Sequence, residues 1–527
     1  MARETGHRVF PSVPLRRGAL VAAIVLGAGV TGFAILADLS LVGALHAPAA
    51  EHADQAELTD LVAAGQAEEA FEDAFEDGDE LFETPFNALD GGGANVGAGQ
   101  RFTRVPRADL AGAGEWANHV PSRATGPNAE ACTACHNTPM DDGAGLAASN
   151  VHRDPLHSGN LGSFIQRNTP HVFGMGGVQR LAEEMTEKLQ QLRAQAAQQA
   201  CATGTPRSRT LTAKGVNFGS ITAIPGGNPC TVTFDTSNVV GVDADLVVRP
   251  FQWKGSVAFI RDFNRGAAHN ELGMQAVEVV GEGVDGDADG VVDEMTVGDM
   301  TAMAVYLSAQ PRPTTKKELN ELGLLDPPLT GQQVAAISQG KTKFNQIGCT
   351  SCHKSQLSID VPIFKEPSAN PSFRDAVFPA GQNPLSLGLD PANPVSFDLT
   401  ADQPDNRILD AAGNLVFHLG AFQTDGTGAV VRLLGDLKRH DMGPGLAESI
   451  DEVGTGASTF LTENLWGVGS TAPYLHDGRA TTLTEAILDH GGEALAARNA
   501  FAALPLADQE KVIAFLENQV LFKLGEE

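Results

Sequence analysis

Apolar positions recur on the helical period in several stretches of this chain. In "EEAFEDAFEDGDELF", Phe71, Phe75 and Phe82 share one face amid acidic residues. "EEMTEKLQQLRAQAAQQA" (183–200) is built from strong helix formers. "TVGDMTAMAVYLSAQPRP" predicts a helix that Pro311 stops, and a second helix leads through "TGQQVAAISQGKTKFNQIG". "ADQEKVIAFLENQVLFKL" predicts another, with Val512, Ile513, Leu516 and Val520 on one face. The period changes between residues 201 and 250, where "TVTFDTSNVV" and "DLVVRP" favour strands and predict a small β-rich insertion. "GGGANVGAGQ" (91–100) reads as a loop.

One apolar stretch differs in kind. Residues 18–37 are uncharged, long enough to span a bilayer, and preceded by Arg3, Arg8, Arg16 and Arg17. This is either a membrane anchor or a cleavable signal, with the small residues Ala47–Ala49 offered to a peptidase. Both readings export the bulk of the chain and predict a periplasmic location, the first with a tether through residues 18–37. Residues 1–50 are therefore set apart as signal or anchor, and 51–110 as an acidic extension. The net charge of −29 argues against nucleic acid or anionic lipid as partner and suits a small basic electron carrier.

Four of the six cysteines lie in two CxxCH motifs, Cys132/Cys135/His136 and Cys349/Cys352/His353. Two cysteines at a fixed short gap followed by His suit two thioether bonds to a porphyrin and delivery of the imidazole to its iron. Zinc wants four ligands clustered at short range, and a dithiol redox pair has no need of His in both motifs. Two covalent haem c groups are the expected cofactors. The remaining Cys201 and Cys230 either pair in an oxidising compartment or serve as separate small core residues.

The two motifs open similar sequences of features. The histidines are 217 residues apart, and Gly255 of "WKGSVAFIRDF" lies 223 residues before Gly478 of "HDGRATTLTEA". In the second half, Leu483, Ala486, Ile487 and His490 follow i, i+3, i+4, i+7, which makes His490 a candidate sixth ligand. Met442 in "KRHDMGPG" competes for that role. In the first half His157 and His269 are additional ligand candidates. Glu271 in "GAAHNELGM" is either a general acid/base over an open iron or a surface carboxylate. A separate motif, "VDGDADGVVDEMT", puts Asp285, Asp287, Asp289, the Val291 carbonyl and Asp293 at positions 1, 3, 5, 7 and 9 of an EF-hand-like loop. It is either a calcium site or a solvated acidic turn, and Thr296 stands where a bidentate Glu is usual.

"TAPYLHDGRATTLTEAI", "RNTPHVFGMG" and "HNELGM", with the two CxxCH motifs, resemble the bacterial di-haem cytochrome c peroxidase superfamily. "GPNAEACTACH", "DLVVRPFQWKG", "DLKRHDMGPG" and "AILDHGGEA" are similar to its di-haem oxidoreductase branch, over roughly residues 65–525. The resemblance implies that the C-terminal haem accepts electrons and passes them to an N-terminal haem that reduces hydrogen peroxide. It implies an electron-donor protein, a small cytochrome c or cupredoxin. Trp253 is similar to the tryptophan those peroxidases place between their haems; its plainer role is a large buried aromatic. Where those relatives carry a methionine after the "APY" motif, this chain has His490. The expected fold is mainly α: two cytochrome c-like haem domains in tandem, residues 111–315 and 316–527, the β-rich insertion in the first. The alternatives are a non-catalytic di-haem electron-transfer protein and a di-haem oxidase of a partner protein or organic substrate.

Overall fold

The phenylalanine spacing near the start becomes the helix Ala67–Glu83, which buries Ala70, Phe71, Ala74, Leu81 and Phe82 and turns its acids outward. This computed structural model describes residues 47–107 and 121–524. The apolar run 18–37 and the expected domain start at 111 lie outside the described residues. Among the described residues no helix is long and apolar enough to cross a membrane.

Helix Ala67–Glu83 packs on Val297–Ala309, which is buried along its whole length. A Thr296/Asp299 capping box starts that second helix. Gly78 permits the close approach, since a Cβ there would strike the Ala302 carbonyl oxygen and the Tyr306 side chain. Phe75 and Phe82 then flank the Tyr306 ring at 5.3 and 5.5 Å. The Tyr306 hydroxyl donates to buried Asp142 at 2.9 Å, and Lys523 Nζ reaches the same carboxylate at 2.5 Å.

The helix rich in strong formers runs over Met175–Thr203 and stops at Gly204, whose φ of 66° is a left-handed cap. An antiparallel three-stranded sheet follows: Arg207–Ala213, Val216–Gly226 and Thr231–Asp235, with the middle strand central. Leu211, Ala213, Val216, Phe218, Ile221 and Ala223 form its buried side. Cys201 and Cys230 are joined in a disulfide with Cα atoms 5.8 Å apart, tying the helix end to the last turn of the sheet. The bridge closes a 29-residue separation, so replacing both cysteines by serine is expected to cost about 2–4 kcal/mol. Thermal unfolding followed by circular dichroism checks this.

The mainly α expectation is overturned: 33% of the described residues are helix and 16% strand, in several small sheets. Most of the unexpected strands lie between residues 357 and 461, as two- to four-residue hairpin arms such as Ile363–Glu366 against Val395–Asp398. These segments are too short to show a period, and their alternation is visible only once one face is covered. The C-terminal helix is also shorter than its apolar pattern. It ends at Leu516, and Val520 sits in a strand that pairs with Thr314–Thr315. Asn518 causes the switch: its carbonyl and side-chain oxygens accept from the Lys316 and Lys317 amides.

One apolar cluster runs from Ala53 to Trp466, and Phe71 stacks on Phe397 at 4.6 Å. A smaller cluster joins helices Gly331–Gln346 and Leu506–Leu516 through Phe344 and Phe515, under the second CxxCH motif.

Candidate haem sites

The second CxxCH motif forms a short 3-10 turn, Cys349–Ser351, directly after helix Gly331–Gln346. Cys349, Cys352 and His353 line a cavity of about 230 Å³, and His490, Met442, Tyr474 and Trp253 line it too. His353 Nδ1 donates to the Leu434 carbonyl at 2.9 Å. His490 caps the helix Leu483–Asp489, and its Nδ1 donates to the Ala486 carbonyl at 2.7 Å. Each ring is thereby fixed in orientation and tautomer, and Nε2 of neither has a hydrogen-bond partner among the described residues. Burial, and then His490, pull His353 down to about 4; burial also lowers His490. Two neutral imidazoles on one apolar cavity, beside two thiols on one turn, fit a haem.

His440, two residues before Met442, lines the same cavity. Its two ring nitrogens meet Asp436 at 3.0 Å and Glu493 at 2.8 Å, so it has none left for iron. Burial works against its charged form, yet Asp436 and Glu493 hold it up at about 10. It is an imidazolium 3.9 Å from the Cys352 sulfur. Asp436 is local, four residues before His440 in "DLKRHD", whereas Glu493 comes from elsewhere in the fold.

The first motif makes the same kind of turn, Cys132–Ala134. Its cysteines pack against the main apolar cluster rather than the smaller one. Burial pushes Cys132 up to about 12, and Cys135 and Cys349 up to about 11. Redox-active dithiols need the opposite shift, because the thiolate is the reactive form. No group of metal-binding side chains among the described residues joins the two motifs, as a shared zinc site would require. His136 Nδ1 lies 3.3 Å from the Gly143 carbonyl, its ring 5.8 Å from Phe82, and burial lowers it to about 4.

Glu271 is brought to this motif by backbone pairing. It sits in a π-helical turn, Ala268–Leu272, whose Glu271 carbonyl accepts from the Asn128 and Ala129 amides at 2.9 and 3.1 Å. Those amides stand just before Cys132. The buried Oε2 of Glu271 has no hydrogen-bond partner. Burial pushes the carboxyl up to about 7, against the pull of Arg153 and Arg123. Because that exceeds the ordinary 4.5, the folded state holds this proton longer, and the group's contribution to stability declines as pH rises towards about 7. His269, in the same turn, is 6% exposed, and its carbonyl accepts from Arg123. His157 lies apart, at φ 50° in the loop between strands Val151–Arg153 and Ile165–Arg167.

Trp253 lines the cavity of the second motif. Its Nε1 donates to the Asn168 carbonyl at 2.9 Å, and Asn168, Thr169 and Pro170 line the cavity that holds His353. The Pro170 carbonyl also accepts from His136. Ion pairs fasten this region: Arg167 to Glu448, Arg153 to Glu452 at 2.5 Å, and Lys254 to Glu448 at 3.7 Å.

Residues 426–519 match the family described as "Di-haem oxidoreductase, putative peroxidase". That stretch is similar to the di-haem oxidoreductases. The matching stretch contains His440, Met442, Tyr474 and His490; both CxxCH motifs fall outside it. Among solved structures, a MauG-like protein associated with microbial copper homeostasis is similar at 14% identity and a TM-score of 0.26, over 55% of this chain and 76% of that one. No curated protein matches. The likeness of residues 426–519 to the di-haem oxidoreductases and the two CxxCH turns point to the same cofactor.

Proposed function

We propose that the protein is an exported di-haem c-type oxidoreductase that reduces hydrogen peroxide at the first site with electrons received at the second. The observation that carries this reading is the asymmetry of the two sites. The second offers two neutral imidazoles, His353 and His490, lining one cavity. The first offers His136 and a half-buried carboxylate, Glu271, whose buried Oε2 is unclaimed by any donor.

Cys132 and Cys135 would hold one haem and Cys349 and Cys352 the other, with His136 and His353 as proximal ligands and His490 as the sixth ligand of the second. Haem iron, when bound, supplies the one-electron chemistry and an open position for peroxide. The rest falls to the chain. Glu271, as carboxylate, takes the proton from one peroxide oxygen and returns it to the other, so that a neutral water leaves. The overall balance is one peroxide, two electrons and two protons to two waters. Trp253 stands on the path from the second cavity to the Pro170–His136 contact and would carry electrons across it. The net charge of −29 suits a small basic cytochrome c or a cupredoxin as donor.

Peroxide-dependent oxidation of a reduced small cytochrome c by the two-haem protein tests the reading. Turnover is expected with wild type. Trp253→Ala should slow it about tenfold or more, or about 1.4 kcal/mol in barrier, without altering either haem's spectrum. A protein loaded with two haems that oxidises no donor in the presence of peroxide would contradict the proposal.

A further inference from the structure

The Asp285–Asp293 turn takes part in neither haem site. Asp285, Asp287 and Asp289 offer carboxylate oxygens that all lie within 4.8 Å of one another. Such a cluster on a strongly acidic protein is by itself unremarkable. Asp287 is the exception, being 3% exposed with neither oxygen hydrogen-bonded. Arg123 Nη2 faces it at 3.6 Å, outside hydrogen-bonding reach, and Arg123 donates to the carbonyls of His269 and Gly273. A buried carboxylate in that state lacks the compensation that burial of charge demands. Glu294 is buried too, at 2% exposed.

We propose that this turn binds a hard divalent cation of the calcium class through Asp285, Asp287, Asp289 and the Val291 carbonyl. An all-oxygen donor set excludes the soft metals, and an irregular, partly hydrated shell suits calcium better than magnesium, which demands a regular octahedron. Gly290, at φ 98°, makes the sharp bend such a loop needs. Thr296, in the twelfth position, caps the following helix instead of ligating. Without a bidentate Glu the affinity falls in the weak class, with Kd about 10⁻⁴–10⁻³ M.

The cation would also steady Glu271. Arg123 holds the carbonyls of His269 and Gly273, which bracket Glu271, while facing Asp287. A cation that satisfies Asp287 removes its competing pull on Arg123 and leaves the arginine to the turn. The site itself stands whether or not Glu271 is catalytic.

The test is calorimetric titration of the divalent-stripped two-haem protein with calcium chloride, and with magnesium chloride for comparison. One saturable calcium site is expected, weakened about tenfold or more in Asp287→Asn and in Asp289→Asn. No saturable calcium binding, or binding unchanged by both substitutions, would overturn the site. Hydrogen exchange of wild type with and without calcium needs no variant: amides of residues 268–274 should exchange more slowly with calcium. Binding without that slowing would overturn the link to Glu271. Neither readout depends on peroxide turnover.

Discussion

Glu271→Gln should lower peroxide turnover by about 10²–10⁴-fold, the range lost when a positioned general base is removed. The substitution preserves shape and the backbone bonds that Asn128 and Ala129 make to the Glu271 carbonyl. Both haem spectra should therefore remain those of wild type, and the loss should appear in kcat/KM. The pH profile separates chemistry from packing. With the carboxyl pushed up to about 7, the proton-accepting form is scarce below that value and dominant above it. Turnover in wild type should rise with pH through about 7, and the Gln variant should lose that limb. A variant with unchanged turnover would remove Glu271 from the mechanism.

The second large effect belongs to His490. Its ring is oriented by the bond from Nδ1 to the Ala486 carbonyl, which leaves Nε2 directed to other use on the cavity that also holds His353. His490→Ala should convert one haem from a low-spin bis-imidazole spectrum to a high-spin or Met442-ligated one, while the other haem is untouched. His490→Met should retain a low-spin spectrum and raise that haem's reduction potential, since a thioether favours the reduced iron relative to imidazole. If both variants show the wild-type spectrum and potential, another group occupies the position. Met442 is the competitor to examine next, because it lines the same wall.

The chemistry of the attachment turns was legible in the sequence because it is local: each CxxCH needs only five consecutive residues to be read. The helices around them were legible where the apolar face was long, as in Ala67–Glu83 and Val297–Ala309. Short hairpin arms between residues 357 and 461 were not, because two to four residues carry no period. They turned an expected mainly α protein into a mixed one. His490 was placed on a helix face but emerges as its cap, with ψ of 132°, because the capping-box start at Thr482 and the early stop leave only seven helical residues. Non-local electrostatics stayed hidden. His440 between Asp436 and Glu493, and Arg123 between Asp287 and the Glu271 turn, join residues up to 164 positions apart. In the sequence Glu271 is a carboxylate near a helix end; the fold buries its Oε2 without a hydrogen bond and pairs its carbonyl with the segment that leads into Cys132.

The central claim is that electrons enter at the second site and leave to peroxide at the first. Rapid mixing of the two-haem protein, with only its second haem reduced, against hydrogen peroxide tests it most directly, with both haem absorbances followed. The account predicts a fast spectral change at the first haem, followed by oxidation of the second that slows in Trp253→Ala. Two low-spin haems that show no response to peroxide would contradict it.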